Sequence, residues 1–301
     1  MISEWYRPAG SARRTGFDVA IGPREAGWEH TGLHVLTLAA GESRRVIGGQ
    51  HEWLVLPLSG QVQVECAGTL LFLSGRAGPF AGPTDFAYVP VSSIFTITST
   101  AGARIALPHA KAARPLPFRR VPAEETVVEL RGAGHCSRQV NNFATPSVLE
   151  ADSIIACEVL TPAGNWSSYP PHKHDEHRQD RESVLEEIYY FEMRAEGDAP
   201  TSANPFGYQR VYGTRKRPIN VMAEVRSGDV VLVPHGWHGP AMAPPGYDMY
   251  YLNVMAGPRA EREWLVSHDP DHSWVQQAWA SQKIDPRLPF RQHVAKRGRR
   301  P

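Results

Sequence analysis

Residues 170–175 read PPHKHD. On an extended chain successive side chains alternate faces, so His172 and His174 point one way and Lys173 the other. Downstream, Glu187 opens the aromatic run EIYYF, in which Glu187, Tyr189 and Phe191 share a face. The stretch 228–238, GDVVLVPHGWH, places a short apolar strand between two turns, the second of which turns His238 inward. Two imidazoles on one face, a carboxylate from the next strand and a third imidazole from a distant strand make a nitrogen–oxygen donor set suited to Zn²⁺, Mn²⁺, Fe²⁺ or Ni²⁺. In a chain with 13 histidines an HxH alone would carry little; its companions give it weight. Asp175, Glu176, His177 and Glu186, in the charged insertion DEHRQDRESVLE, compete with Glu187, and His235 competes with His238. Glu187 is preferred because it begins the aromatic strand, and His238 because His235 sits in the turn. The insertion is long and charged enough to loop out over a barrel mouth.

The elements that must hold these ligands are short strands. Gly and Pro number 26 each, a density of punctuation that suits many strands joined by turns better than long helices. Residues 33–107 pass through apolar runs such as LHVLTLAA, HEWLVLPLSGQVQVEC, FAYVPV and IFTITST, bounded by Gly or Pro clusters, as in an all-β sandwich or barrel. Residues 108–125 hold four prolines and several basic residues and read as a linker or an extended crossing segment. A second β-rich half follows. FAYVPVSS and VVLVPHGW recur at comparable places in the two halves and suggest an internal duplication. The HxH and Glu187 followed by GD, Pro, Gly and His238 resemble the two-part cupin signature, which implies an all-β chain of two tandem cupin (jelly-roll-like) β-barrel domains, 1–115 without a metal site and 116–301 with one. The first half offers His51 and Glu52 but no HxH, which points to a structural or dimerising role. Short helices are expected over 260–268 and 275–283.

Composition limits the function classes. Hydrophobic residues make up 42% and charged residues 21%, the balance of a folded globular chain, and a net charge of +1 gives no global attraction for nucleic acid. The basic run 291–301 reads as a solvated tail. Cys66, Cys136 and Cys157 are too few and too scattered for a disulfide framework, so a reducing, cytoplasmic setting is expected. The N-terminal residues lack an apolar signal segment, and no apolar run approaches the ~20 residues of a membrane span.

Beyond the general cupin pattern of HxH and Glu followed by GD, Pro, Gly and His, a closer likeness rests on longer runs. They are GNWSSYPPHKHD (164–175), LEEIYYFE, FGYQRVY (206–212), GDVVLVPHGWHGPAMAPPGYDMYYLNVMAGP (228–258) and DPDHSW (269–274), with looser matches over 75–90 and 129–143. On these the chain resembles the 5-deoxy-glucuronate isomerase family of myo-inositol catabolism, bicupins whose sister family isomerises a related deoxy-hexosulose-uronate from pectin breakdown. The chain departs from that pattern at Trp237 and Gly239–Pro240, just beside His238. The resemblance implies a metal-dependent aldose–ketose isomerase acting on a small sugar acid.

The residues allow two further candidate roles, proton transfer and substrate binding. For the proton-transfer group, Tyr251 and Asp248 lie on the strand after the second motif; Asp248 and Tyr250 share one face, Met249, Tyr251 and Asn253 the other, and alternation alone leaves open which faces inward. A substrate carboxylate needs a fixed cation. Arg210 is the first choice, with Gln209 and Tyr250 as further substrate contacts and Lys173 as the second cation. The same ligands could instead serve an Fe²⁺ dioxygenase, or the chain could be a non-catalytic sugar-binding bicupin. A polar neighbourhood of Tyr, Gln, Arg, Asp and His suits a polyhydroxy acid better than an apolar oxygenase substrate. Exposed barrel sheets could also pair copies into a homo-oligomer.

Overall fold

The computed structural model describes residues 3–197, 199–259 and 261–290; the basic run 291–301 lies outside them. The protein is all-β. Its helices among the described residues are single turns, Pro23–Ala26 and Val275–Ala278, with short 3₁₀ segments beside them. The helix expected over 275–283 is present in this short form. The one expected over 260–268 is not: Ser267–His268 is a strand paired with His172–Lys173. Cross-strand pairing at that place outweighs the local helical pattern.

A nine-stranded sheet builds the first barrel, and a seven-stranded and a six-stranded sheet enclose the second. In the seven-stranded sheet Glu186–Ala195 lies between Val230–Val233 and Tyr247–Ala256, followed outward by Ile155–Thr161 and Arg138–Ala144. Such central strands are buried on both faces, which is why they read as nearly continuous apolar runs. Along Glu186–Ala195, Tyr189, Phe191 and Met193 enter the core of the second barrel with Met249, Tyr251 and Met255. The alternate residues Ile188 and Tyr190, with Tyr250, Leu252 and Val254, pack instead against Leu33, Leu54, Phe86 and Ala106 of the first barrel. The first barrel's own core holds Leu36, Trp53, Val55, Ile97 and Leu107. The molecule is thus layered as core, shared apolar seam, core.

The long strand His51–Cys66 turns a barrel corner. Its register shifts between Pro57 and Ser59, and again between Gly60 and Val62. Gly60 has φ +81°, and a Cβ there would stand 2.4 Å from the Gly102 carbonyl oxygen, so only glycine fits the bend.

Segment 108–125 is not a plain linker. Ala103–Lys111 runs into it, and Arg119–Val121 pairs with Phe86–Val89. The insertion after His174 is ordered too, as a hairpin of Asp175–Arg178 with Glu182–Val184.

Polar groups lock the seam by exchange. Glu52 of the first half accepts hydrogen bonds from the backbone N–H groups of Asp152, Ser153 and Ile154 at 2.6–2.9 Å. Glu186 of the second half accepts from the N–H groups of Glu29, His30 and Thr31 at 2.9 Å. Arg76 reaches across to Glu158 in a bidentate, fully buried pair, where Tyr250 (2.8 Å) and Asn141 (3.0 Å) also donate to the carboxylate. Removing one partner of such a pair strands a buried charge. Arg76→Ala is therefore expected to lower the unfolding free energy by about 3–5 kcal/mol in chemical denaturation, with both barrels losing stability together.

Candidate metal centre

His172 lies on a two-residue strand whose partner is Trp237–Met242, in register with His238. His174 follows two residues later on the same side. His172, His174 and His238 each offer one ligand atom, and these atoms all lie within 4.8 Å of one another. Glu187 enters from the facing sheet. Its Oε2 stands 3.1 Å from His174 Nε2 and 3.0 Å from His238 Nε2. The four residues picked out by spacing come together at one point.

The surrounding carbonyls set the tautomers. His174 Nδ1 is 3.2 Å from the Leu185 carbonyl oxygen, and His238 Nδ1 is 3.2 Å from that of Gly236. With Nδ1–H donated outward, each Nε2 turns a lone pair toward the Glu187 carboxylate. Two lone-pair bearers at that separation repel unless a positive charge, a metal ion or a proton on Nε2, lies between them. This donor set of neutral imidazoles and one carboxylate, with its orienting carbonyls already in place, fits a divalent metal ion. The electrostatics agree. Burial works to raise the Glu187 pKa, but the imidazoles of His238 and His174 outweigh it and hold the carboxyl at about 2. Burial, with His238 and His174, holds His172 well below its ordinary value. For His174 burial lowers the pKa, and the Glu187 carboxylate more than reverses it.

These directions give a pH dependence. A metal must displace the proton that Glu187 holds on His174, so affinity is expected to fall as pH drops below that raised pKa, by about tenfold per pH unit per proton. In the metal-free protein the sign is opposite: the protonated His174–Glu187 pair stabilises the fold at low pH, and that contribution is lost as pH rises through the raised value. Chelator competition at pH 8 and pH 6 measures the first effect; denaturation of metal-free protein at the same pH values measures the second.

The cluster opens on a cavity of about 490 Å³. Tyr251 stands in its wall, with its hydroxyl 3.0 Å from Ser168 Oγ, which in turn lies 3.2 Å from the Tyr189 hydroxyl. Burial pushes the Tyr251 pKa up to about 12, against the opposing influence of Ser167, Ser168 and Arg138. The inward face of that strand is therefore the one bearing Met249, Tyr251 and Asn253.

Asp248 and Tyr250 fall on the other face and leave the site. Asp248 accepts from the Ala163 N–H at 3.0 Å and pairs with Arg194 in a separate surface pocket, and Tyr250 belongs to the Arg76–Glu158 network. Arg210 does not reach the cavity either. It points outward over the Tyr212 ring and donates to Asn220 Oδ1 and to the Val211 and Val221 carbonyls. Lys173, on the opposite face from the histidines, is held by Asp175 and Glu182 at 2.7 Å. Gln209 is fully buried inside the barrel, with neither amide atom hydrogen-bonded, and does not line the cavity. Of the competing ligands, Glu186 serves the seam, Asp175, Glu176 and His177 lie in the hairpin, and His235 stays outside the cluster near Arg217.

The cavity also contains residues that spacing did not single out. Arg131 and Arg138 face each other across paired strands, and both line it. Arg131 is engaged by Glu129 at 2.8 Å. Arg138 donates only to the Cys136 carbonyl, at 3.2 Å, and has no carboxylate partner among the described residues. Burial, helped by the like charge of Arg131, pushes its pKa down. His268 lies opposite His172 in the neighbouring strand, lines the same cavity and has its pKa lowered by burial. The signal for the arginines was their placement on both sides of the turn in RGAGHCSR, where a hairpin brings them together.

The model of the KduI/IolB family matches residues 5–275. A protein of Geobacillus kaustophilus named 5-deoxy-glucuronate isomerase is 38% identical over 92% of this chain and 97% of its own length. One of Shouchella clausii with the same name is 45% identical over 64% of this chain and 67% of its own. The crystal structure of an IolB-like protein from Salmonella typhimurium superposes with a TM-score of 0.81 at 34% identity, covering 90% of this chain and 98% of that one. An oxalate decarboxylase of Lactobacillus farciminis, at 12% identity and a TM-score of 0.61, shares the fold alone. By family model, by relatives that match along most of its length and by structure, the chain belongs to the KduI/IolB family.

Proposed function

We propose that the protein is a metal-dependent aldose–ketose isomerase that converts 5-deoxy-D-glucuronate to 5-dehydro-2-deoxy-D-gluconate in the myo-inositol catabolism of the cytoplasm. One observation carries the reading: a three-imidazole, one-carboxylate ligand set opens on a cavity whose wall also holds a tyrosine hydroxyl and an arginine with no carboxylate partner among the described residues. Relatives bearing the isomerase name along nearly the full chain support the substrate.

His172, His174, His238 and Glu187 would hold the ion, one of Zn²⁺, Mn²⁺, Fe²⁺ or Ni²⁺ by their donor types. When bound, a divalent ion supplies Lewis-acid polarisation of a carbonyl and its neighbouring hydroxyl. The protein's own groups divide the remaining work. Arg138, with no carboxylate of its own, takes the substrate's acid group and fixes which end enters. The reaction removes a proton from the hydroxyl-bearing carbon beside the aldehyde and returns one to the former aldehyde carbon. His268, neutral at pH 7 because burial lowers its pKa, accepts the first proton. Tyr251, protonated at pH 7, donates its O–H to the oxygen on which charge develops. A cavity lined by Arg131, Arg138, Tyr251 and Asn253 favours this polyhydroxy acid over the apolar substrate of an oxygenase.

The test is turnover of 5-deoxy-D-glucuronate in D₂O, followed by NMR, for the wild type and Tyr251→Phe. The wild type is expected to consume the aldehyde and gain deuterium at the former aldehyde carbon. Tyr251→Phe is expected to lose about 10²-fold in kcat while keeping its metal content. No turnover by metal-loaded wild type would send the assignment to a related deoxy-uronate.

A further inference from the structure

We propose that the mouth of the first barrel is a second ligand site, one that binds a small polyhydroxy carboxylate without metal. On the inner face of the sheet, His34, His109 and Trp53 continue the rows of Leu36, Leu107 and Val55, so the barrel core changes from apolar to imidazole-rich at one end. His109 lies 4.9 Å from His51 and 5.0 Å from His34 between ring centroids and stacks on Trp53 at 4.0 Å. These residues line a cavity of about 670 Å³, with Arg45 and Lys111 among the lining residues.

The site is built. His109 is only 2% exposed, yet neither of its ring nitrogens has a hydrogen-bond partner, and His34 Nδ1 has none. Leaving such atoms buried and unpaired is unfavourable unless something fills the space beside them. Room for the ring comes from Gly32, where a Cβ would stand 2.0 Å from His109 Cε1.

The chemistry selects the ligand. Among the described residues only His172, His174 and His238 converge within 4.8 Å, so the first-barrel histidines do not form a ready metal cage. Burial lowers the pKa values of all three, that of His34 to about 4, so they are neutral at pH 7. A neutral imidazole offers one donor and one acceptor, which matches a hydroxyl group rather than a carboxylate. Arg45 and Lys111 have no ion-pair partner among the described residues and supply the charge for an acid group. Arg24, Glu25 and Glu29 also line the cavity; Glu25 is turned to the Gly22 N–H at 3.1 Å. This site is independent of the isomerase reading, since no residue of the metal centre takes part in it.

The test is ¹H–¹⁵N NMR of the histidine side chains in the metal-loaded, full-length protein, titrated separately with D-glucuronate, D-glucose and Zn²⁺. Saturable shifts of His34, His51 and His109 with glucuronate, weaker with glucose, are expected. An Arg45→Ala/Lys111→Ala double variant is expected to weaken that binding about tenfold with unchanged isomerase turnover. Both substitutions lie at the rim, so folding is preserved. No glucuronate shift, equal response to glucose, shifts with Zn²⁺ alone, or unchanged affinity in the variant would each overturn the proposal. His172, His174 and His238 report the metal centre separately in the same spectra.

Discussion

His174→Ala is expected to lose about 10³-fold or more in kcat/KM, because losing Lewis-acid polarisation of a carbonyl forfeits several kcal/mol of transition-state stabilisation. The geometry explains why this one residue counts for so much. His174 Nε2 faces Glu187 Oε2 at 3.1 Å, and its Nδ1 is tied to the Leu185 carbonyl. Its removal takes away a donor and also leaves the buried Glu187 carboxylate with one imidazole fewer. Metal content by mass spectrometry, measured beside turnover, separates the possibilities: activity and metal should fall together. Lys173→Ala is the control one residue away. Lys173 points to Asp175 and Glu182, so its loss should loosen the hairpin and leave metal content intact. A His174→Ala protein that kept full metal and full turnover would remove this residue from the centre.

Arg138→Ala is expected to cost about 2–5 kcal/mol of substrate binding, a fall of roughly 30- to 5,000-fold in kcat/KM. The loss should appear chiefly in KM, since the carboxylate does not react and is bound alike in ground and transition states. Arg210→Ala supplies the contrast. Its guanidinium is spent on Asn220 Oδ1 and two backbone carbonyls outside the cavity, so kcat/KM should stay within about twofold. A substrate analogue with a neutral amide in place of the acid sharpens the comparison: it should bind poorly to wild type and lose little more in Arg138→Ala. Equal penalties for the two arginines would show that the acid group is held elsewhere.

The candidate ligand cluster was legible in the sequence because local rules bring its residues together. Alternation puts His172 and His174 on one face wherever the strand goes, and a GD turn followed by an apolar strand and a Pro-Gly turn delivers His238 to the barrel interior. The charged insertion obscured the spacing to Glu187 but folded into its own hairpin, leaving the facing of Glu187 unchanged. The all-β fold was legible for the same reason: its strands are short and apolar, and Gly and Pro mark their ends.

The polar residues that surround the ligands were not legible, since their direction depends on which side of each strand meets the other barrel. Tyr250 and Tyr251 are adjacent, aromatic and equally buried; only the presence of a second sheet behind Tyr247–Ala256 sends Tyr250 to the seam and Tyr251 to the cavity. Asp248 went with Tyr250 by the same parity. Arg210 is apt by residue type alone, whereas Arg131 and Arg138, far before His172 in the chain, arrive through strand pairing. The exchange of Glu52 and Glu186 across the seam, and the gathering of His34, His51 and His109 in the first barrel, likewise join residues that share no local pattern. By itself the sequence determined the strand content and the candidate cluster of His172, His174 and His238, which rest on backbone alternation and turn chemistry within a few residues. Only the tertiary structure decided which face of each doubly buried strand meets the substrate, because that choice is made by what packs on the opposite side.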